Sequence, residues 1–280
     1  VRRIALTAVV LGAGGFGAAA AVGAQQQQLL AAAQVQVVAY SSEDVRICPG
    51  YAIATAAGPE QVPACADGLP AVGVDVSPLT TQIPGQPERW GYLHLVGTYE
   101  NGTFQVTSQG AQETPPNPPS AYDGPIPCRP PRGGWRHSQP TESQRATIDH
   151  YYGQVHHHDL VSSAFFHGTI LVVSSVDPAR TRAFLRPAWP RQLCVVRARY
   201  SRPFVNRVRA KLLHLVQPAS SGARYGWVTG AGGYSVNRHG QSTLSLDVLI
   251  VTPALQAFLQ RQPRGLVVVD STFRPVGAQP

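Results

Sequence analysis

Two β-prone runs, Trp90 to Tyr99 (WGYLHLVGTY) and Thr103 to Thr107 (TFQVT), flank the dipeptide Asn101-Gly102. Asn-Gly supplies the positive φ angles that a two-residue turn needs, so this spacing predicts a β-hairpin. Further along the chain the apolar positions switch between the strand and helix periods. Thr169 to Val176 (TILVVSSV) reads as a strand, and Pro178 to Leu185 as a helix with Asp177 as N-cap and Pro178 in its first turn. Leu193 to Arg199 (LCVVRAR) is the next strand, after which Phe204, Val208, Leu212 and Leu215 fall at helical spacing on Pro203 to Val216. Strands near Tyr225 to Val236 and Thr243 to Val251, a helix from Thr252-Pro253 to Gln260 and a strand from Leu266 to Asp270 complete the pattern. The order β-α-β-α-β-β-α-β predicts an α+β fold, with helices on one face of a mainly antiparallel sheet.

The N-terminal side is less regular. Residues 25–40 (QQQQLLAAAQVQVVAY) are rich in Gln, Ala and Leu and read as a helix or tether; residues 41–112 read as a β-rich region of loops and short strands that contains the hairpin. Prolines crowd residues 113–140, which marks a linker without helix or central strand, leading into an α+β domain at 141–276 and a tail at 277–280.

Arg2 and Arg3 precede an uncharged stretch from Ile4 to Val22, and Val22-Gly23-Ala24 places small or tolerated residues at the −3 and −1 positions of a cleavage site. Residues 1–24 therefore read as a secretory signal peptide, with the mature chain beginning near Gln25. The alternative is an uncleaved single membrane anchor, since Ile4 to Ala24 is long enough to cross a bilayer of about 30 Å, although its glycines weaken it as a span. Gly12 to Gly17 also matches the dinucleotide pattern GxGxxG, but no strand precedes it and it lies inside the export segment.

Composition changes this picture in two ways. Basic residues comprise 22 Arg and a single Lys in an Ala-, Gly- and Pro-rich chain without Met, which points to a GC-rich genome and to Val1 as a GTG start. Export also places Cys48, Cys65, Cys128 and Cys194 in an oxidising compartment, and their scatter lacks the CxxC pairs of zinc sites. Of three possible connectivities the expected one is Cys48–Cys65, closing a Pro/Gly-containing loop, with Cys128–Cys194 tying the middle of the chain to its C-terminal half.

Two clusters carry candidate chemistry. His150, His156, His157, His158, Asp159 and His167 lie close in sequence, and imidazoles with a carboxylate are the usual ligands of zinc. His156, His158, Asp159 and His167 are the candidate metal ligands; a metal-dependent hydrolase centred on residues 156–159 is the alternative function, although no HExxH spacing is present. Between Asp177 and Asp247 there is no acidic residue, whereas 12 basic residues lie there against a net charge of +8 for the whole chain. Arg197, Arg199, Arg202, Arg209 and Lys211 are the candidate anion-binding residues, with Arg202 and Arg209 expected on the solvated face of their helix. The competing reading is a solvated surface in which arginine is merely the codon-favoured residue. No nucleophile motif such as GxSxG is present, and no Glu lies beyond Glu142, which disfavours paired-carboxylate glycosidase chemistry.

The segments WGYLHLVGTYENGTFQVT, CRPPRGGW, LCVVRARY, SLDVLIVTPALQAFL and GLVVVDSTFRPV together resemble a family of uncharacterised exported actinomycete proteins, over roughly residues 85–276. The C-terminal element order, with Asn237 just before a Val- and Leu-rich strand, is more weakly similar to the pro-segments of α-lytic-type serine proteases, which are folding chaperones; no protease domain is expected to follow it here. The reading is an exported, disulfide-bonded α+β protein that acts by binding rather than catalysis and needs no cofactor, with zinc belonging to the hydrolase alternative. Its expected partner is an anionic cell-envelope polymer or another exported protein, not a specific nucleic acid, and a membrane only if the signal stays uncleaved.

Overall fold

The computed structural model describes residues 29–48, 65, 67–79, 88–110, 122–155, 158–216 and 222–277. Residues 1–24, on which the signal-peptide expectation rests, and residues 156 and 157 lie outside them. Among the described residues the protein is α+β, dominated by strands in three sheets.

The N-terminal sheet closes on itself. Strands β1 (Leu30–Ala39), β2 (Val45–Cys48), β3 (Leu69–Val72), β4 (Arg89–Glu100) and β5 (Thr103–Gly110) follow the order β1-β2-β3-β5-β4, and β4 pairs back onto β1. Only β3 and β5 run parallel; with that pair, the circular order is the one found in five-stranded barrels of the OB type. Val35, Val37, Val45, Ile47, Leu69, Leu93, Leu95 and Phe104 fill the interior. The helix or tether expected at residues 25–40 is thus corrected, because residues 30–39 form a strand. Pairing on both edges, with β4 on one side and β2 on the other, outweighs the weak helix preference of Ala, Leu and Gln. The β4–β5 hairpin turns at Asn101 and Gly102 with φ of 48° and 86°, as Asn-Gly predicts.

The barrel mouth is plugged from the other end of the chain. Trp227, Leu249, Ile250 and Phe273 belong to the barrel core; Phe273 lies 4.3 Å from Phe104, and Trp227 lies 6.0 Å from Tyr99, both between ring centroids. Strand β12 (Arg274–Pro275) then pairs with Leu30 and Ala31 of β1. The tight approach depends on Gly226 at φ 83°, where an added Cβ would lie 1.7 Å from the Ile250 carbonyl oxygen.

The predicted C-terminal order is present, but it runs through two three-stranded sheets of mixed pairing rather than one. In the first, β6 (Leu160–Phe166) and β7 (Ile170–Ser175) are antiparallel, and α2 (Pro178–Leu185) crosses over to β8 (Leu193–Arg197), parallel to β7. In the second, β9 (Val228–Val236) and β10 (Ser242–Val248) are antiparallel, and α5 (Pro253–Gln260) crosses over to β11 (Val267–Ser271), parallel to β10. These are two copies of one ββαβ plan. Each crossover helix opens on a side-chain N-cap, Asp177 or Thr252, followed by Pro. The ladders match as well: Leu171 N–H donates to Gln192 and Ala198 N–H to Ser175, as Leu244 N–H donates to Leu266 and Thr272 N–H to Val248. The first strands of the two units, β6 and β9, meet, and a buried bond from the Ser162 hydroxyl of β6 to the Ser242 hydroxyl of β10 at 2.8 Å also ties the units together.

Helix α3 (Arg202–Val216) joins the units, burying Val205, Val208, Leu212 and Leu215 against β10 and α5 in a stripe of helical period. Short α4 (Gly222–Tyr225) follows it. Helix α1 (Glu142–His150), opened by a capping box from Thr141 and Gln144, packs with Leu185 and Trp189 on one face of β6–β8. The opposite face is covered by Tyr122, Ile126, Cys128 and Trp135. The proline-rich stretch has no helix or strand over residues 122–140, as expected, yet it is not a free linker there, because it is a packed wall of the first unit. Both disulfides join the expected partners, Cys48–Cys65 and Cys128–Cys194.

Candidate functional site

The candidate anion-binding residues divide into two groups. Arg202 and Arg209 do not sit on the solvated face of α3, which corrects the sequence expectation. Each stands on the flank of the buried stripe, where its guanidinium lies over a tyrosine ring and reaches a backbone carbonyl. Arg202 lies over the Tyr152 ring at 5.2 Å and donates to Leu160 at 3.4 Å; Arg209 lies over Tyr234 at 5.4 Å and donates to Gly232 at 2.8 Å. The Tyr234 hydroxyl in turn donates to Asn206. Arg182 and Arg191 work similarly, reaching the carbonyls of Val195 and of Gly133 and Gly134. Arg197 extends to the Val176 carbonyl at 3.5 Å. Much of the arginine excess therefore clamps elements together.

The second group faces solvent. Arg199 lies over Tyr200 at 5.3 Å, Tyr200 stacks on Phe204 with centroids 5.2 Å apart and planes 18° apart, and Arg207 lies over Phe204 at 5.5 Å. Lys211 follows Arg207 by one helical turn and is exposed. The position of this series is fixed from outside α3. The Gln241 side chain accepts from Arg199 N–H at 3.0 Å and donates to the Arg197 carbonyl at 3.1 Å, tying the β8–α3 connection to the β9–β10 turn. Guanidinium groups laid on aromatic faces lose less freedom on binding, and their N–H edges stay open to phosphate or carboxylate. The sequence reading placed none of Tyr200, Phe204 and Arg207 in the site, Phe204 being read only as part of the apolar stripe of α3, although the interleaving of Arg with aromatics in RARYSRPFVNRVRAK was legible.

The candidate metal ligands are not brought together. His156 lies outside the described residues, and His158 is exposed beside Asp159. The Asp159 carboxylate is bonded to Arg180 at 3.1 Å, and Arg180 also meets Asp177 at 3.5 Å. His167 sits in the β6–β7 turn at φ 49°, separated from Asp159 by the whole of β6, about 20 Å at strand rise. An extended strand cannot fold both ends onto one ion. Among the described residues no group of three or more His, Cys, Asp or Glu could hold a metal.

Two cavities flank β11. One, of about 650 Å³, lies between Asp123–Pro125 and the sheet face formed by Ser235, Thr243, Ser245 and Val268, with Arg238 at its rim. The other, of about 420 Å³, lies on the opposite face beneath α5 and is lined by Gln256, Leu259, Arg264, Val267 and Val269. At the far end of the first face, Asp247 pairs in register with Asp270, and its carboxyl is raised above the ordinary value by burial and then by the Asp270 charge.

Among the described residues no helix is long and apolar enough to cross a membrane. No known protein family, curated protein or solved structure matches this chain.

Proposed function

We propose that this is an exported, non-enzymatic binding protein whose surface at Arg199, Arg207 and Lys211 takes an anionic polymer of the cell envelope. The observation that carries the reading is the series of exposed guanidinium groups on half-buried aromatic rings that runs from the β8–α3 connection onto α3, in a stretch without a single acidic residue. Two disulfides fit an oxidising or extracellular environment, and the charged, then apolar N-terminus and the resemblance to exported actinomycete proteins support secretion.

Retention on isolated envelopes and on an anionic resin, across a salt series, tests this. Exposed attraction is screened within about 8 Å at physiological ionic strength, so wild type should elute at moderate salt. Arg207→Glu with Lys211→Glu should elute at much lower salt and keep an unchanged melting temperature, since both side chains face solvent. Equal retention of the two proteins would defeat the reading. Reversing Arg202 and Arg209 would not be a clean test, because both hold the fold together.

A further inference from the structure

The two ββαβ units differ at their outer edges. In a parallel ladder alternate residues bond the neighbouring strand, so Leu266, Val268 and Asp270 turn toward β10, and the N–H and C=O groups of Val267 and Val269 turn outward. The corresponding outward groups of β8 are closed off. Arg182 of the crossover helix donates to the Val195 carbonyl, and the Cys128–Cys194 bridge pins the proline-rich wall across that face. Among the described residues the second unit has none of these devices. Gln256 or Ala257 stands where Arg182 stands, according as the helices are aligned on Thr181 and Leu185 against buried Leu255 and half-buried Leu259 or on their N-caps, and neither carries a charge. Val268 stands where Cys194 stands and is 51% exposed, while Ile170 and Val172 give way to Thr243 and Ser245.

A bare strand edge is normally blunted. Here it is flanked on both faces by a cavity, which is the arrangement that receives alternate side chains of an added strand. We propose that β11 is a docking edge for an extended segment of a partner protein, bound as a fourth strand. Side chains of that segment enter the two cavities alternately, apolar ones beneath α5 and threonine-sized ones over Thr243 and Ser245, while an acidic residue meets Arg238 and a basic residue meets Asp247, beside the Asp270–Arg274 pair at 2.8 Å. Charge selects the partner over a second copy of this chain. A two-fold pairing about Val269 would set each Asp270, held by its own Arg274, against Val268 of the other copy and would bring no cation to Asp247.

The test uses the mature protein with two blocked peptides, Ac-Glu-Val-Thr-Val-Thr-Val-Lys-NH2 and the same residues in reverse order, which cover parallel and antiparallel docking. One of them should bind saturably and slow hydrogen exchange at the Val267 and Val269 amides. Val269→Pro removes an outward donor at a position where an edge strand tolerates proline, so the protein should stay folded and binding should weaken about tenfold. Asp270→Lys should weaken binding while leaving both amides unprotected in the free protein, as in wild type. Absence of binding by both peptides, binding unchanged in Val269→Pro, or a concentration-dependent dimer that protects the same amides would each overturn the proposal. The Arg207→Glu, Lys211→Glu protein should bind the peptide normally, so this proposal and the envelope-polymer reading stand or fall separately.

Discussion

Single residues carry two of the tightest constraints in the molecule. Gly226 accepts both Leu249 N–H and Ile250 N–H on its carbonyl while holding a left-handed φ of 83°. Gly226→Ala would drive a methyl into the Ile250 carbonyl, and the backbone carrying Trp227 and Ile250 would have to leave the barrel mouth. A loss of about 3 kcal/mol or more is expected, measurable by urea denaturation. Tyr152 is the second case. Burial, partly offset by its bond to Ser163 and by the Arg202 charge, pushes its phenol up to about 12. An unfolded tyrosine ionises near pH 10, about two units lower. Native stability is therefore unaffected by this group below pH about 10 and is lost as the pH climbs from about 10 to 12, because only the unfolded chain releases the proton. Melting temperatures between pH 9 and 12 should fall more steeply for wild type than for Tyr152→Phe.

At the scale of elements, the Cys128–Cys194 bridge decides whether the proline-rich wall stays on its sheet. It spans 66 residues of sequence, and loop entropy gives about 4 kcal/mol for a closure of that length. Cys128→Ser with Cys194→Ser should lower the denaturation midpoint accordingly and expose Trp135 to fluorescence quenchers, whereas wild type should resist both. Both this bridge and the elements with explicit punctuation were legible in the sequence. The Asp177-Pro178 and Thr252-Pro253 starts locate α2 and α5, and Asn101-Gly102 locates the hairpin, because each signal is local chemistry acting on the adjacent backbone. Strand β1 was not legible, since its Gln- and Ala-rich residues become a strand only by pairing with partners far away in sequence. The capping box at Thr141 and Gln144 was a readable start for α1 that the surrounding prolines obscured. The candidate site was half legible. Charge pointed to the stretch that carries the proposed surface, but which arginines bond carbonyls depends on packing between α3, β6 and β9, and no helical wheel contains those neighbours.

For the whole molecule, the strand pattern sets the order in which structure can become complete. The first described strand borders β2, β4 and the last described strand, and Leu30 pairs with Pro275. The aromatic side chain that fills the barrel beside Phe104 comes from Phe273. A chain emerging from the ribosome thus carries an uncorked barrel with exposed valines and leucines until Phe273 arrives. Contacts of such long sequence separation form slowly, so the chain must survive unfinished for the length of its own synthesis. That interval is when an escorting factor, or the disulfide-forming machinery acting first on Cys48 and Cys65, has the most influence on whether the product is native or aggregated.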